Sequence, residues 1–206
     1  MRWIQEWGQA PSSASYFLFN KSVNKTYIAM SKTDTLLNQV KVARDSYCKR
    51  ISSISETQAK WKPTPESWNV IEITEHLYWA EQGGILGMWK TLYAIRSGQL
   101  EKRFDSFHQN LSVEEIISRT WKEKEQVPPV AAPRMGGILI FWRESLGSLQ
   151  DVLEAFGNDL KDEELRVLAH PHPISGPMDF HQRLEFLRFH INRHYEQVGR
   201  IMAELK

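Results

Sequence analysis

Two histidines four residues apart, His190 and His194, carry the clearest chemistry in this sequence. They lie in the stretch FLRFHINRHYEQVGRIMAEL, where apolar residues recur at alternating steps of three and four, the spacing of a buried helix face. On such a helix both imidazoles leave the same face one turn apart, and His194 takes the place of an apolar residue. Two imidazoles held this way form a bidentate metal site that needs a third ligand from a facing helix.

A second helical stretch supplies the third ligand candidate, His76, at the edge of its own apolar face. Below it on that face come Ala80, Gly83 and Gly87, small residues that allow a neighbouring helix to approach or leave a cavity over a metal. Three His ligands without a fourth protein ligand form an open, catalytic type of site. The alternative is a set of ordinary core histidines, each satisfied by hydrogen bonds.

Two carboxylates stand close to His76 in sequence. Glu72 lies one helical turn before it and Glu75 is adjacent. Glu72 is the better-placed candidate for orienting a histidine ring or for proton transfer, and a solvated surface charge is the alternative. Gln197 follows His194 by one turn, so it can bond near the site or between helices, and we assign it a structural role.

Two other metal-binding motifs, those of di-iron bundles and of zincins, are absent from the sequence. No His has Glu three residues before it, as a di-iron bundle requires, and Ile191 follows His190 where a zincin has Glu. The connector HPHPISGP, with His170 and His172, can rim a pocket mouth or serve as a plain proline-stiffened loop. His108 and His181 have no partner at useful spacing and are predicted to lie on the surface.

The apolar pattern predicts an all-α protein. A shorter helix begins at Ser112, with Glu115 three residues on as in a capping box. No stretch shows the period-two alternation of a sheet, so the long amphipathic helices bury their faces best as a four-helix bundle. The second connection between long helices has almost 40 residues and can cross the bundle. The predicted helices cover 33–58, 68–97, 112–125, 136–156 and 178–205.

Composition limits the remaining possibilities. Of the 206 residues, 41% are hydrophobic, which favours one well-cored domain at 30–206. The net charge is only +1, which disfavours a nucleic-acid surface. Residues 1–29 show no lasting period and are predicted to be a poorly ordered extension. Cys48 is the single cysteine, so a reducing cytoplasm fits best. No apolar run reaches the ~18 residues of a membrane span.

Two motifs point to a family. The helix that opens with ESWNV at 66–70 and continues with Glu75-His76-Leu77 resembles the DinB-like (YfiT/BstA-type) proteins. The final helix, with His190-x-x-x-His194-x-x-Gln197 after a His-Pro-rich loop, resembles them too. The similarity extends over roughly 31–206.

This resemblance implies an up-down-down-up four-helix bundle and a divalent metal, zinc, nickel or iron, held by His76, His190 and His194. Members of the group include thiol-dependent S-transferases that use low-molecular-weight thiols such as bacillithiol, and a mycothiol-dependent isomerase. Members often form homodimers, so a homodimer is a possible assembly here.

Two hypotheses of function follow. In the first, the protein is a cytoplasmic metal-dependent enzyme, a thiol-dependent S-transferase or a hydrolase of a small molecule, because neutral His ligands leave the ion its full charge to acidify a water or thiol. In the second, it is a non-catalytic bundle that binds a small molecule or serves a stress response, with a vestigial metal site. Neither hypothesis includes a nucleic-acid or membrane partner.

Overall fold

The computed structural model describes residues 30–122 and 126–205, and all regular elements within them are helical. The all-α prediction is confirmed, and the long helices agree with their predicted bounds to within a few residues except at the end of the first. That helix stops at residue 51, and a separate short helix follows. The predicted extension at 1–29 lies outside the described residues. The helices are α1 (Lys32–Ile51), α2 (Glu56–Ala59), α3 (Val70–Arg96), α4 (Val113–Thr120), α5 (Leu139–Asp159) and α6 (Phe180–Glu204), with a 3-10 turn at Asp162–Glu164.

Most of these helices begin at a capping box. In each box the N-cap side chain accepts a hydrogen bond from the third backbone N–H of the helix, and the third side chain bonds back to the N-cap N–H. The box predicted at Ser112 and Glu115 is present. Helix α3, which carries His76, begins at Asn69, and α6 begins at Asp179. These local signals fix where the site-bearing helices start.

The four long helices pack in a ring. Helix α1 contacts α5 and α6, and α3 contacts α5 and α6. Helices α3 and α5 run in the same direction, because Trp79 lies beside Trp142 and Trp89 beside Phe156. One apolar core joins all four helices.

Helix α6 runs opposite to α3. Near one end His76 meets His194, and further along α3 the position of Gly84 lies against Arg183 and Leu187 of α6. Helix α1 likewise runs opposite to α5, since Leu37 lies against Gly157 while Cys48 contacts the carbonyl of Arg143. These directions are consistent with an up-down-down-up course.

The long connection between α3 and α5 contains α4, which packs on α6. Its apolar residues form a second, smaller core with Phe186 of α6 and Met178. The main core also holds one buried ion pair, Arg44 of α1 with Glu81 of α3. Among the described residues, no helix has the length and apolar character needed to cross a membrane.

Candidate metal centre

The three predicted ligands come together between α3 and α6. The Nε2 atom of His190 lies 3.1 Å from Nε2 of His76 and 3.1 Å from Nε2 of His194. One ligand nitrogen from each of the three rings can be chosen so that all three nitrogens lie within 4.8 Å of one another. All three residues are buried: His76 is 4% exposed, His190 is 5% exposed and His194 is 6% exposed. The i, i+4 spacing on α6 thus places both rings on the face that meets α3.

The outer nitrogens of two rings are held by hydrogen bonds. His76 donates from Nδ1 to the carbonyl oxygen of Ala131 at 2.8 Å, and a carbonyl can only accept. Nδ1 of His194 lies 2.7 Å from Oε1 of Gln197, which accepts its proton in the same way. A neutral imidazole carries one N–H, so the Nε2 atoms of both rings present lone pairs to the centre of the cluster.

Burial keeps the three rings neutral. It is the main cause that lowers the pKa of each histidine, since a charged imidazole loses its hydration in the interior. The pKa of His194 falls to about 3. The pKa of His190 lies well below its usual value, and the neighbouring rings lower it further. Neutral imidazole is the form that ligates a metal.

The three imidazoles are better arranged to bind a metal ion than to satisfy one another by hydrogen bonds. His190 can donate one Nε2 proton to His76 or to His194, but not fully to both. One inward lone pair would then be left without a partner in a buried place. A divalent ion accepts all three lone pairs, and three His ligands leave further coordination positions open.

Aromatic side chains surround the cluster. The ring of Trp68 lies 5.1 Å from that of His76, and Phe186 stacks on His190 with centroids 5.6 Å apart. His172 of the proline-stiffened connector packs on Phe186 at 4.3 Å. The side chain of Phe186 therefore lies between the connector and the candidate ligand His190.

One glycine of α3, Gly87, makes room for the other connector histidine, His170. An added Cβ at Gly87 would come within 2.5 Å of the His170 ring, so this glycine is needed for the close approach. His170 accepts a hydrogen bond from the buried Arg183 at 2.8 Å. Gly83 is exposed, and nothing lies within 4 Å of its added Cβ. The predicted close approach therefore occurs at Gly87, from the connector rather than from a helix, and not at Gly83.

The carboxylate of Glu72 takes part in the start of α3. It accepts from the backbone N–H of Asn69 at 2.8 Å and from Lys62 at 2.9 Å. Within the described residues its hydrogen bonds go to these groups and to no histidine ring. A role for Glu72 in proton transfer stays a prediction.

Glu75 is a residue whose role the sequence did not reveal. It is fully buried, and its carboxylate accepts hydrogen bonds from the backbone N–H groups of Arg134, Met135 and Gly136. Burial alone would raise the pKa of this carboxyl. The hydrogen bonds outweigh burial, so the pKa of Glu75 lies below its usual value. No spacing rule could find the contact, because the donors are main-chain groups 59 to 61 residues away.

The surface prediction for His108 is wrong. This residue is 2% exposed, and its Nε2 donates to the carbonyl of Ser175 at 2.7 Å. Its burial follows from the packing of the long connection against the segment before α6, which no local pattern indicates. His181 is partly exposed and lies 3.6 Å from Glu185.

Comparison with known proteins gives a family and a fold. A family model described as the DinB superfamily matches residues 39–198. Among solved structures, that of a conserved protein from Enterococcus faecalis is similar, with a TM-score of 0.52 and 14% identity over 84% of this chain and 96% of that chain. At that identity the likeness shows the fold alone. No curated protein matches the chain at a significant level.

Proposed function

Because the chain belongs to the DinB superfamily, we propose that His76, His190 and His194 hold a divalent metal ion and that this centre acts on a small molecule. The family and the buried cluster together suggest divalent metal binding. The observation that carries the proposal is the pair of outward Nδ1 hydrogen bonds, which turns the Nε2 lone pairs of His76 and His194 toward His190.

The proposed chemistry is thiol-dependent S-transfer or hydrolysis. When bound, a divalent ion on three neutral ligands supplies a Lewis acid that lowers the pKa of a water or thiol. Zinc, nickel and iron all suit imidazole ligands. The protein itself keeps the imidazoles neutral by burial and orients His76 and His194 through their outer hydrogen bonds. The rings of Trp68 and Phe186 pack against His76 and His190.

A non-catalytic role is the second candidate. The three histidines are at most 6% exposed, and this deep burial favours a bundle that binds a small molecule or serves a stress response with a vestigial metal site. The two candidates differ in a simple way. An enzyme turns over a thiol or hydrolysable substrate only with metal present, whereas a binding protein keeps its ligand affinity after metal removal.

We extend the proposal to the setting of the protein. Cys48 is unpaired and half-buried, in keeping with a cytoplasmic protein. We expect a small-molecule substrate, with a low-molecular-weight thiol as the co-substrate of an S-transferase, and a homodimer as a possible assembly. The balanced charge argues against a nucleic-acid partner.

Elemental analysis of protein purified without an affinity tag or chelator tests the proposal. We expect about one divalent ion per chain in the wild type, as a single mononuclear site requires. His190→Ala and His194→Ala should each lose this ion while the helical circular dichroism stays unchanged. His181→Ala is the matched control, because it removes a histidine from the same helix outside the cluster.

Two results would contradict the assignment. One is an unchanged metal content in the His190→Ala protein. The other is a wild-type protein that takes up no zinc, nickel or iron on reconstitution.

A further inference from the structure

The buried carboxylate of Glu75 ties a distant loop to the helix that carries His76. Arg134 and Met135 donate backbone N–H groups to Oε1 at 2.7 Å each, and Gly136 donates to Oε2 at 2.9 Å. The indole N–H of Trp79 adds a longer bond to Oε1 at 3.2 Å. Three successive amides around one anion form a compact nest for the charge. Without them the carboxylate would be buried at a high cost.

The same loop carries the acceptor of His76. We call residues 131–136 the strap. At one end of the strap the carbonyl of Ala131 accepts the Nδ1 proton of His76 at 2.8 Å, and at the other end the amides meet Glu75. Glu75 and His76 are neighbours on α3, so both ends of the strap are attached to one turn of one helix.

Further contacts keep the strap in place. The guanidinium of Arg134 lies 3.9 Å over the ring of Trp79, and the indole N–H of Trp142 donates to the carbonyl of Gly136 at 2.6 Å. Gly136 has a φ of 65°, a left-handed conformation that suits glycine and turns the strap toward α5. Glu75 is the group on α3 that binds three of the strap's amides.

We propose that Glu75 is a positioning residue of the metal centre: by holding the strap, it keeps the Ala131 carbonyl against His76 and so fixes the tautomer and orientation of that ring. This inference rests on the proposed function in so far as the ring is a metal ligand. Partners of this kind hold ligand rings in many metal sites, and their loss typically weakens metal binding about 10- to 100-fold.

Glu75→Gln tests the inference. The amide keeps the size of the side chain but replaces one acceptor oxygen with an NH₂ group that faces N–H donors of the strap. We expect nitrogen NMR of the metal-free protein to show His76 changing from the Nδ1–H tautomer to a mixture with Nε2–H. We also expect the Kd for zinc to rise about 10- to 100-fold.

Glu81→Gln is the matched control. Glu81 lies on the same helix and is also fully buried, but its partner is Arg44 and it makes no bond to the strap. This variant should melt at a lower temperature than the wild type while keeping the wild-type His76 tautomer and zinc affinity. A merely structural role for Glu75 would give the same pattern in Glu75→Gln, and that result would overturn the inference.

Glu75→Asp keeps the test decisive if the glutamine variant does not fold. It retains the charge but ends one methylene short of the amides, so a smaller tautomer change and a smaller loss of zinc affinity are expected. Wild-type values for both would overturn the inference. The proposed function fails separately, through a wild-type protein that binds no metal, and the tautomer of the metal-free ring still decides the role of Glu75.

Discussion

At the scale of single residues, the site depends on atoms behind the ligands as much as on the ligands. Gln197 receives the Nδ1 proton of His194 at 2.7 Å, and both belong to α6. This short-range contact fits the helical spacing, because residues three apart lie on one side of a helix. The side chain assigned a structural role from the sequence therefore contacts a candidate ligand directly.

Gln197→Leu should weaken metal binding about 10-fold or more, because His194 loses the acceptor that fixes its tautomer. Gln197→Glu is the matched partner, since a carboxylate accepts the same proton more strongly and should retain or raise the affinity. Competition titration with a zinc chelator measures both. Equal affinities for the leucine variant and the wild type would show that the Gln197 contact does not support the site.

At the scale of elements, α3 both carries His76 and accommodates the connector. Its glycines face different surroundings although they share one helix. Gly87 receives the ring of His170, whereas Gly83 faces open space. Glycine in a helix interior lowers the free energy of unfolding by roughly 0.5–1 kcal/mol relative to alanine. Glycine is therefore the better residue only where the Cβ of alanine would collide with a neighbour.

The two glycines predict opposite effects of alanine. Gly83→Ala should raise the free energy of unfolding by about 0.5–1 kcal/mol, because alanine loses less backbone entropy on folding. Gly87→Ala should lower it by about 1–3 kcal/mol, since its Cβ forces the His170 ring to move. Urea denaturation measures both values. A stabilised Gly87→Ala protein would mean that the connector moves away without cost.

At the scale of the whole molecule, histidines that are partly or fully buried make the folded state sensitive to acid. Burial lowers the pKa of His170 to about 4 and that of His172 to about 3, and the charge of Arg183 adds to both shifts. Their ordinary pKa is 6.5. Below that value the unfolded chain binds protons that the folded chain does not, so the free energy of unfolding decreases as the pH falls.

The metal-free protein should therefore lose stability between about pH 6.5 and pH 4, by at most about 1.4 kcal/mol per pH unit for each such histidine. The cluster histidines act in the same direction. Urea denaturation at several pH values measures the slope, and His170→Gln should reduce it. A free energy of unfolding that stays constant down to about pH 5 would contradict this account.

Most of the fold could be predicted because its signals are local. Apolar spacing along α3 and α6 marked the buried faces, and the Ser112–Glu115 pair marked a helix start that the structure shows. The first helix was predicted too long, because the apolar period continues past Ile51 although the chain turns there.

The site divides in the same way. By itself the sequence determined that His190 and His194 share a helix face and that His76 is the third candidate, because helical period and residue type are properties of short segments. Only the tertiary structure decided that the strap meets Glu75 and His76 and that His108 is buried. Those contacts join side chains to main-chain groups far along the chain, and every residue offers the same amide and carbonyl, so residue type carries no sign of them.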